Sequence, residues 1–270
     1  MASSGRLTVI GGGAMGEAFV AGLLREDGPV SAPNVTIVEP VAARREALVA
    51  TYGVQVSTSP REAVARADFV LLAVKPSQFG VVAKELAGAV DGNQLVMTLM
   101  AGVELDRVRG ELRHPNVIRL MPNILCRVGA GMIVWFAAPD VTPEQRQDAR
   151  RLFAATGAEF EVDDEKYLDM ATAVSGSGPA YVFLMLEALA DAGVHVGFSR
   201  PQAALLAQQT LLGAALLARQ SGQHPAELRN AVTSPGGTTV EGLLALERGG
   251  VRAAIIDAVL AAYTKAQKLR

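Results

Sequence analysis

The stretch Leu7-Thr8-Val9-Ile10-Gly11-Gly12-Gly13-Ala14-Met15-Gly16 decides how the rest of this 270-residue chain is read. Four strand-forming residues run directly into glycines at the first, third and sixth places of a G-x-G-x-x-G pattern, and residues 14–24 have the composition of a helix. Strand, glycine turn and helix in that order open a βαβ unit, where free amides and the helix dipole can hold a dinucleotide pyrophosphate. Gly11, Gly13, Ala14, Met15 and Gly16 are accordingly the first candidate cofactor-binding residues.

Working outward, the next strand-like run, 35–39, ends in Glu39, which stands 23 residues after Gly16. That is close to the distance, roughly 20 residues, at which an acid hydrogen-bonds the adenosine ribose hydroxyls, and it favours NAD over its 2′-phosphorylated form. Arg44 and Arg45 read equally as a phosphate contact or as a solvated helix face. Further β-branched runs lie at 69–74, 95–99, 117–121 and 132–136, alternating with helical stretches at 42–52, 61–66, 81–89, 105–112 and 143–155. The pattern predicts a parallel sheet. Thr142-Pro143-Glu144-Gln145 reads as a capped helix start. Ala73-Val74-Lys75-Pro76 and Met100-Ala101-Gly102 follow predicted strands, so Ala73, Val74, Lys75, Pro76, Ala101 and Gly102 fall where open α/β sheets take ligands.

Beyond about residue 162 the strand pattern stops. Helices are expected at 180–192, 201–220, 239–248 and 251–268. The fold class is therefore α/β, an N-terminal Rossmann-type doubly wound sheet over 1–162 followed by an all-α domain over 163–270. Two of the helices, 201–218 and 251–262, are apolar around most of their circumference, more than a small helical domain can cover by itself. A partner subunit is the economical cover.

Composition narrows the function. Half the residues are hydrophobic, 19% are charged and the formal net charge is −2, which leaves no basic patch for nucleic acid or for a membrane surface. A single cysteine, Cys126, excludes an intrachain disulfide and points to a reducing compartment, and the N-terminus lacks the features of an export signal. A cytoplasmic protein is expected. No metal-ligand spacing emerges, and His114, His195 and His224 read as surface residues.

Two glycine-punctuated stretches, Ser175-Gly176-Ser177-Gly178-Pro179 and Ser234-Pro235-Gly236-Gly237-Thr238-Thr239, lead into predicted helices. Free amides and hydroxyls at such starts suit a small carboxylate. Strong acids and bases are scarce around them: the lysines of the second half are Lys166, Lys265 and Lys268, none in a glycine-flanked loop. A ketone needs a proton delivered as it is reduced, whereas a protonated imine already carries one. The residues present suit an imine.

Several motifs together resemble the Δ1-pyrroline-5-carboxylate reductase family. They are Gly-Gly-Gly-Ala-Met-Gly at 11–16, Ala-Val-Lys-Pro at 73–76, Val-Ile-Arg-Leu-Met-Pro-Asn at 117–123, Ser-Gly-Ser-Gly-Pro-Ala-Tyr at 175–181 and Thr-Ser-Pro-Gly-Gly-Thr-Thr at 233–239. The resemblance spans essentially the whole chain. It implies NAD(P)H as cofactor, an imino acid as substrate, L-proline as product and a helix-swapped homodimer, often gathered into decamers, with each active site assembled across the dimer. It assigns the substrate carboxylate to Ser234, Gly237, Thr238 and Thr239, the imine nitrogen to Thr172, and the cofactor side to Asn123 as well. Ile124-Leu125-Cys126 and Gly222 depart from common family patterns, as does Glu39, which stands where NADPH-preferring relatives tend to carry small polar or basic residues and so suggests NADH. Two other readings are a β-hydroxyacid dehydrogenase-like reductase, which would call for a well-placed lysine in the helical domain, and a dinucleotide-binding sensor without chemistry.

Overall fold

Strands β1 (Leu7–Ile10), β4 (Phe69–Leu72) and β5 (Leu95–Thr98) are buried at every position, because each lies inside a sheet covered on both faces. The computed structural model describes residues 5–26 and 28–269. Residues 1–4, which enter the expectation about export, lie outside them. In chain order the remaining elements of the first region are α1 (Ala14–Leu23), β2 (Val35–Val38), α2 (Ala42–Tyr52), β3 (Gln55–Ser57), α3 (Pro60–Val64), α4 (Phe79–Leu86), α5 (Leu105–Leu112), β6 (Val117–Met121), β7 (Gly131–Ala137), α6 (Pro143–Thr156) and β8 (Gly157–Glu161). They form one eight-stranded sheet in the order β3-β2-β1-β4-β5-β6-β7-β8. The reversal of direction beside β1 creates the crevice at which doubly wound sheets bind nucleotides.

The structure corrects the sequence-based expectations in three places here. β3 and β8 were not predicted: β3 is three residues long, and β8 is a half-exposed edge strand with little apolar signal. β7 runs antiparallel to β6, although a parallel sheet was expected. The connection between them holds only a 3-10 turn, Ile124–Val128, and is too short for a parallel crossover. His114 is buried rather than on the surface, its Nε2 2.8 Å from the Gln94 carbonyl, and burial pushes its pKa down. The predicted cap is present: Thr142 Oγ1 accepts from the Gln145 amide and Gln145 Oε1 from the Thr142 amide.

The rest of the chain is helical: α7 (Tyr167–Ala171), α8 (Gly178–His195), α9 (Arg200–Ser221), α10 (Pro225–Ala231), α11 (Thr238–Arg248) and α12 (Val251–Gln267). α10 was not predicted; it is short, and His224 Nδ1 accepts the Ala226 amide at its start. Leu168 and Ala171 of α7 pack with Met121 and Val134 of the sheet. By contacts the chain forms two compact units, one running to Ser177 and regaining the chain from Ala262, the other Gly178–Ala261. Within the second unit, Leu184, Leu205, Leu206, Leu212 and Ile256 are all exposed. Among the described residues the helical run Tyr167–His195 is long and apolar enough to cross a membrane by length and composition.

Candidate functional site: a glycine cradle, a π-helical turn and an open helix start

The turn after β1 is built by contact with the end of β4. Gly11 has φ +109°, and a Cβ there would stand 2.7 Å from the Ala73 carbonyl oxygen. A Cβ on Gly16 would stand 2.2 Å from the Gly11 carbonyl oxygen and 3.2 Å from the Ala73 Cβ. Both glycines let α1 and its turn close down on the strand ends. Gly13 is different. It caps α1 without a side-chain bond, and a Cβ built on it meets no described atom within 4 Å. Its amide face, with those of Ala14 and Met15, is the open side that a pyrophosphate would occupy.

Glu39 is 9% exposed, and both carboxylate oxygens are engaged by main chain: Oε2 accepts from the Gly12 amide (3.1 Å) and Oε1 from the Val41 amide (3.0 Å). Arg44 does not stand free to meet a phosphate. Its Nε donates to the Gly12 carbonyl (2.8 Å) and its Nη2 pairs with Glu17. Arg45 donates to the carbonyls of Glu39 and Pro40. Glu17 was missed by sequence reasoning, although an acid in the first turn of α1 was visible. It also pairs with Arg127 (3.1 Å) and accepts from the Tyr52 hydroxyl (2.8 Å). Burial pushes its carboxyl up, but the hydrogen bonds from Arg44 and Tyr52 and the charges of Arg44 and Arg127 outweigh that, so its pKa is lowered.

At the ends of neighbouring strands, the Ala73 amide donates to the Ile10 carbonyl (2.8 Å), while Lys75 and Pro76 are exposed beside the glycine turn. Ala101 and Gly102 are half-buried after β5; Gly102 has φ +72° and lies against Leu269. Asn123 is 5% exposed and bonded to protein through both atoms of its amide: Nδ2 donates to the Ser175 carbonyl (3.0 Å), and Oδ1 accepts from the Leu125 (3.2 Å) and Met132 (3.4 Å) amides. A cavity of about 770 Å³ bordered by Arg6, Thr36, Gln55 and Arg66 lies away from these carboxyl ends, toward the amino ends of the strands.

The stretch Ser175–Pro179 is not the open helix start expected from its glycines. Thr172–Gly176 forms one turn of π-helix that joins α7 to α8, and the Ser177 amide donates to the Thr172 carbonyl (2.8 Å). An anion site on free amides there is ruled out for Ser177. Thr172 is half-buried at the head of this turn, and its hydroxyl donates to the Leu168 carbonyl (2.7 Å). The second expected start is present. Gly237 caps α11 with extended backbone and no side-chain bond, Gly236 adopts φ +66°, and Ser234, Thr238 and Thr239 are exposed; the Gly237 amide itself donates to the Ser234 carbonyl (3.0 Å), so an anion would be met by the amides that follow it.

A glycine turn at the switch point of a doubly wound sheet, followed by a helical region, is the arrangement of the dinucleotide-dependent oxidoreductases. The family model described as pyrroline-5-carboxylate reductase dimerisation matches residues 165–269, and the one described as NADP oxidoreductase, coenzyme F420-dependent, matches 6–102. The chain belongs to the pyrroline-5-carboxylate reductase family. It is 46% identical to the Synechocystis pyrroline-5-carboxylate reductase over 98% of both chains, and 42% identical to that of Mycobacterium tuberculosis over 98% of this chain and 97% of that one. Among solved structures, the NADP-bound pyrroline carboxylate reductase of Plasmodium falciparum superposes with TM-score 0.89 at 28% identity, covering 98% of each chain. The Coxiella burnetii pyrroline-5-carboxylate reductase does so with TM-score 0.88 at 34% identity, covering 99% of each.

Proposed function

We propose that this chain reduces the C=N bond of Δ1-pyrroline-5-carboxylate to give L-proline at the expense of NAD(P)H. Full-length kinship with proteins named for that activity carries the reading. The residues fit the cofactor: Gly11 and Gly16 bring the turn against Ala73, Gly13 leaves its amide face open, and Ala14, Met15, Ala73–Pro76, Ala101 and Gly102 border the same strand ends. When bound, the reduced nicotinamide supplies a hydride to the C=N carbon.

What the chain's own residues do follows from their hydrogen bonds. Thr172 has committed its hydroxyl hydrogen to Leu168, so toward a substrate it offers lone pairs. A lone pair suits the N–H of a protonated imine, which carries the positive charge that makes the adjacent carbon electrophilic. The amides at the start of α11, with Ser234, Gly237, Thr238 and Thr239, hold the carboxylate. Glu39, an acid at the end of β2, favours ribose hydroxyls over a 2′-phosphate, and we take NADH to be the preferred reductant.

The exposed leucines of α8 and α9 support a homodimer in which a second copy covers them, and assembly of dimers into a decamer is the form the family resemblance implies. The same faces account for the apolar run Tyr167–His195 without a membrane. A near-neutral chain with one cysteine suits the cytoplasm and offers nucleic acid no basic face. Steady-state oxidation of NADH and NADPH in the presence of Δ1-pyrroline-5-carboxylate tests the central reading. Turnover no faster than background would end it.

A further inference from the structure

The motif Val117–Asn123 touches the helical run that carries Thr172 at two places, one on each side of that residue. Arg119 of β6, fully buried, pairs with Glu165 Oε1 (2.5 Å) just before α7, and its Nη2 stands 3.9 Å from Asp169 Oδ1 within α7. Asn123, four residues on, donates through Nδ2 to the Ser175 carbonyl inside the π-helical turn. The orientation of the Asn123 amide is forced. Its Oδ1 faces two main-chain donors, Leu125 and Met132, so the nitrogen must face Ser175. Pro122 and the 3-10 turn that Asn123 caps hold its backbone in place.

A π-helical turn departs from the usual helical register and persists only where its surroundings over-determine it. Within this one, the Ser177 amide and hydroxyl both converge on the Thr172 carbonyl, at 2.8 and 3.0 Å, and Ser175 Oγ donates to Ala171 (3.0 Å). Asn123 supplies the turn with a side-chain donor from an element 52 residues away. Met121 lies close by on the same segment, its sulfur 3.9 Å from where a Gly176 Cβ would be.

We propose that Asn123 is a positioning residue: by holding the Ser175 carbonyl it keeps the π-helical turn in the register that presents the lone pairs of Thr172 to the imine N–H. This rests on the role given to Thr172 above. The side chain of Asn123 acts through the turn and not on the dinucleotide. A bond whose direction matters, at a site where displacements below an ångström are costly, needs such a support.

The test uses the full-length enzyme with Asn123→Asp, Asn123→Ser, Thr172→Val and the double variant N123D/T172V. Aspartate keeps acceptors for Leu125 and Met132 but sets an oxygen against the Ser175 carbonyl. Serine caps the 3-10 turn but does not reach Ser175, and it stands in if the aspartate variant fails to fold. The proposal expects kcat to fall about tenfold in either Asn123 variant, with the NADH Kd within twofold of wild type and faster deuterium exchange at the Ser177 amide. It also expects N123D to cost nothing further in the T172V background. A tenfold rise in the NADH Kd at unchanged kcat, or losses that multiply in the double variant, would overturn it while leaving the reading of Thr172 intact. Full activity in T172V would instead remove that reading, and this inference with it.

Discussion

Glu39 Oε2 accepts the Gly12 amide hydrogen at 3.1 Å, tying the end of β2 to the middle of the glycine turn. The acid expected to read the ribose therefore also braces the loop expected to hold the pyrophosphate. On the proposed reading of Glu39, cofactor choice and loop geometry are coupled through one carboxylate.

Glu39→Ser accordingly raises kcat/KM for NADPH relative to NADH, since it removes a negative charge from the neighbourhood of a 2′-phosphate. It also raises KM for both cofactors, because losing charged hydrogen bonds to Gly12 and Val41 costs about 1.5–3 kcal/mol each at most. Steady-state kinetics with both cofactors read the two effects separately. An unchanged NADPH-to-NADH ratio would remove Glu39 from the ribose.

The glycines of the turn separate into two kinds. Gly16→Ala places a Cβ 2.2 Å from the Gly11 carbonyl, so the turn must open and both thermal stability and dinucleotide affinity fall. Gly13→Ala meets no described atom, so its melting temperature stays within a degree or two of wild type while dinucleotide affinity drops. Scanning calorimetry together with a fluorescence titration of NADH distinguishes them. Equal affinity in Gly13→Ala and wild type would place the pyrophosphate elsewhere.

Thr238→Ala or Thr239→Ala raises KM for the imino acid more than for the cofactor, by roughly 10- to 100-fold for a lost bond to a charged group worth about 1.5–3 kcal/mol. A larger rise in the cofactor KM would move α11 to the other ligand.

Arg119→Met leaves Glu165 without its buried cation. Breaking a buried pair on one side destabilises by about 3–5 kcal/mol, and Glu165, partly exposed at 22% of its side chain, places the loss toward the lower figure. Urea unfolding measures it. Because the second half of the pair also accepts the Leu105 amide, the loss includes loosening at the start of α5.

Glu17 makes stability fall in acid. Its folded pKa is lowered, so the Arg44 and Tyr52 partnership contributes fully above the ordinary carboxyl value of 4.5 and is lost as pH drops through the folded value. Glu17→Gln is therefore less stable than wild type at neutral pH, and the difference shrinks below pH 4.5. Denaturant midpoints from pH 3 to pH 7, on the order of those carboxyl titrations, check the sign.

Much of the fold and of the nucleotide turn was legible because it is local. Gly11 and Gly16 sit where a turn must pass beneath a strand end, Thr142 and Gln145 form a cap within one helical turn, and the apolar runs at 69–72 and 95–97 seed strands because nothing polar interrupts them. What escaped depends on distant partners. β7 is antiparallel because its connection is short, and β8 exists because α6 returns it to the edge beside β7. His114 is buried because the Gln94 carbonyl is there to meet it.

The candidate site divides along the same line. The amino-acid order by itself determined the glycine turn, the acid at the end of β2 and the capped start of α11, since each depends on backbone conformation and capping over a few residues. Only the tertiary structure decided that Glu39 and Arg44 both hold the glycine turn, that Ser175–Ser177 belong to a π-helical turn, and that Arg119 and Asn123 grip the segment on either side of Thr172. Those are pairings between groups tens of residues apart, chosen by strand register and by the need of buried polar atoms for partners, and neither is written in any short stretch of chain.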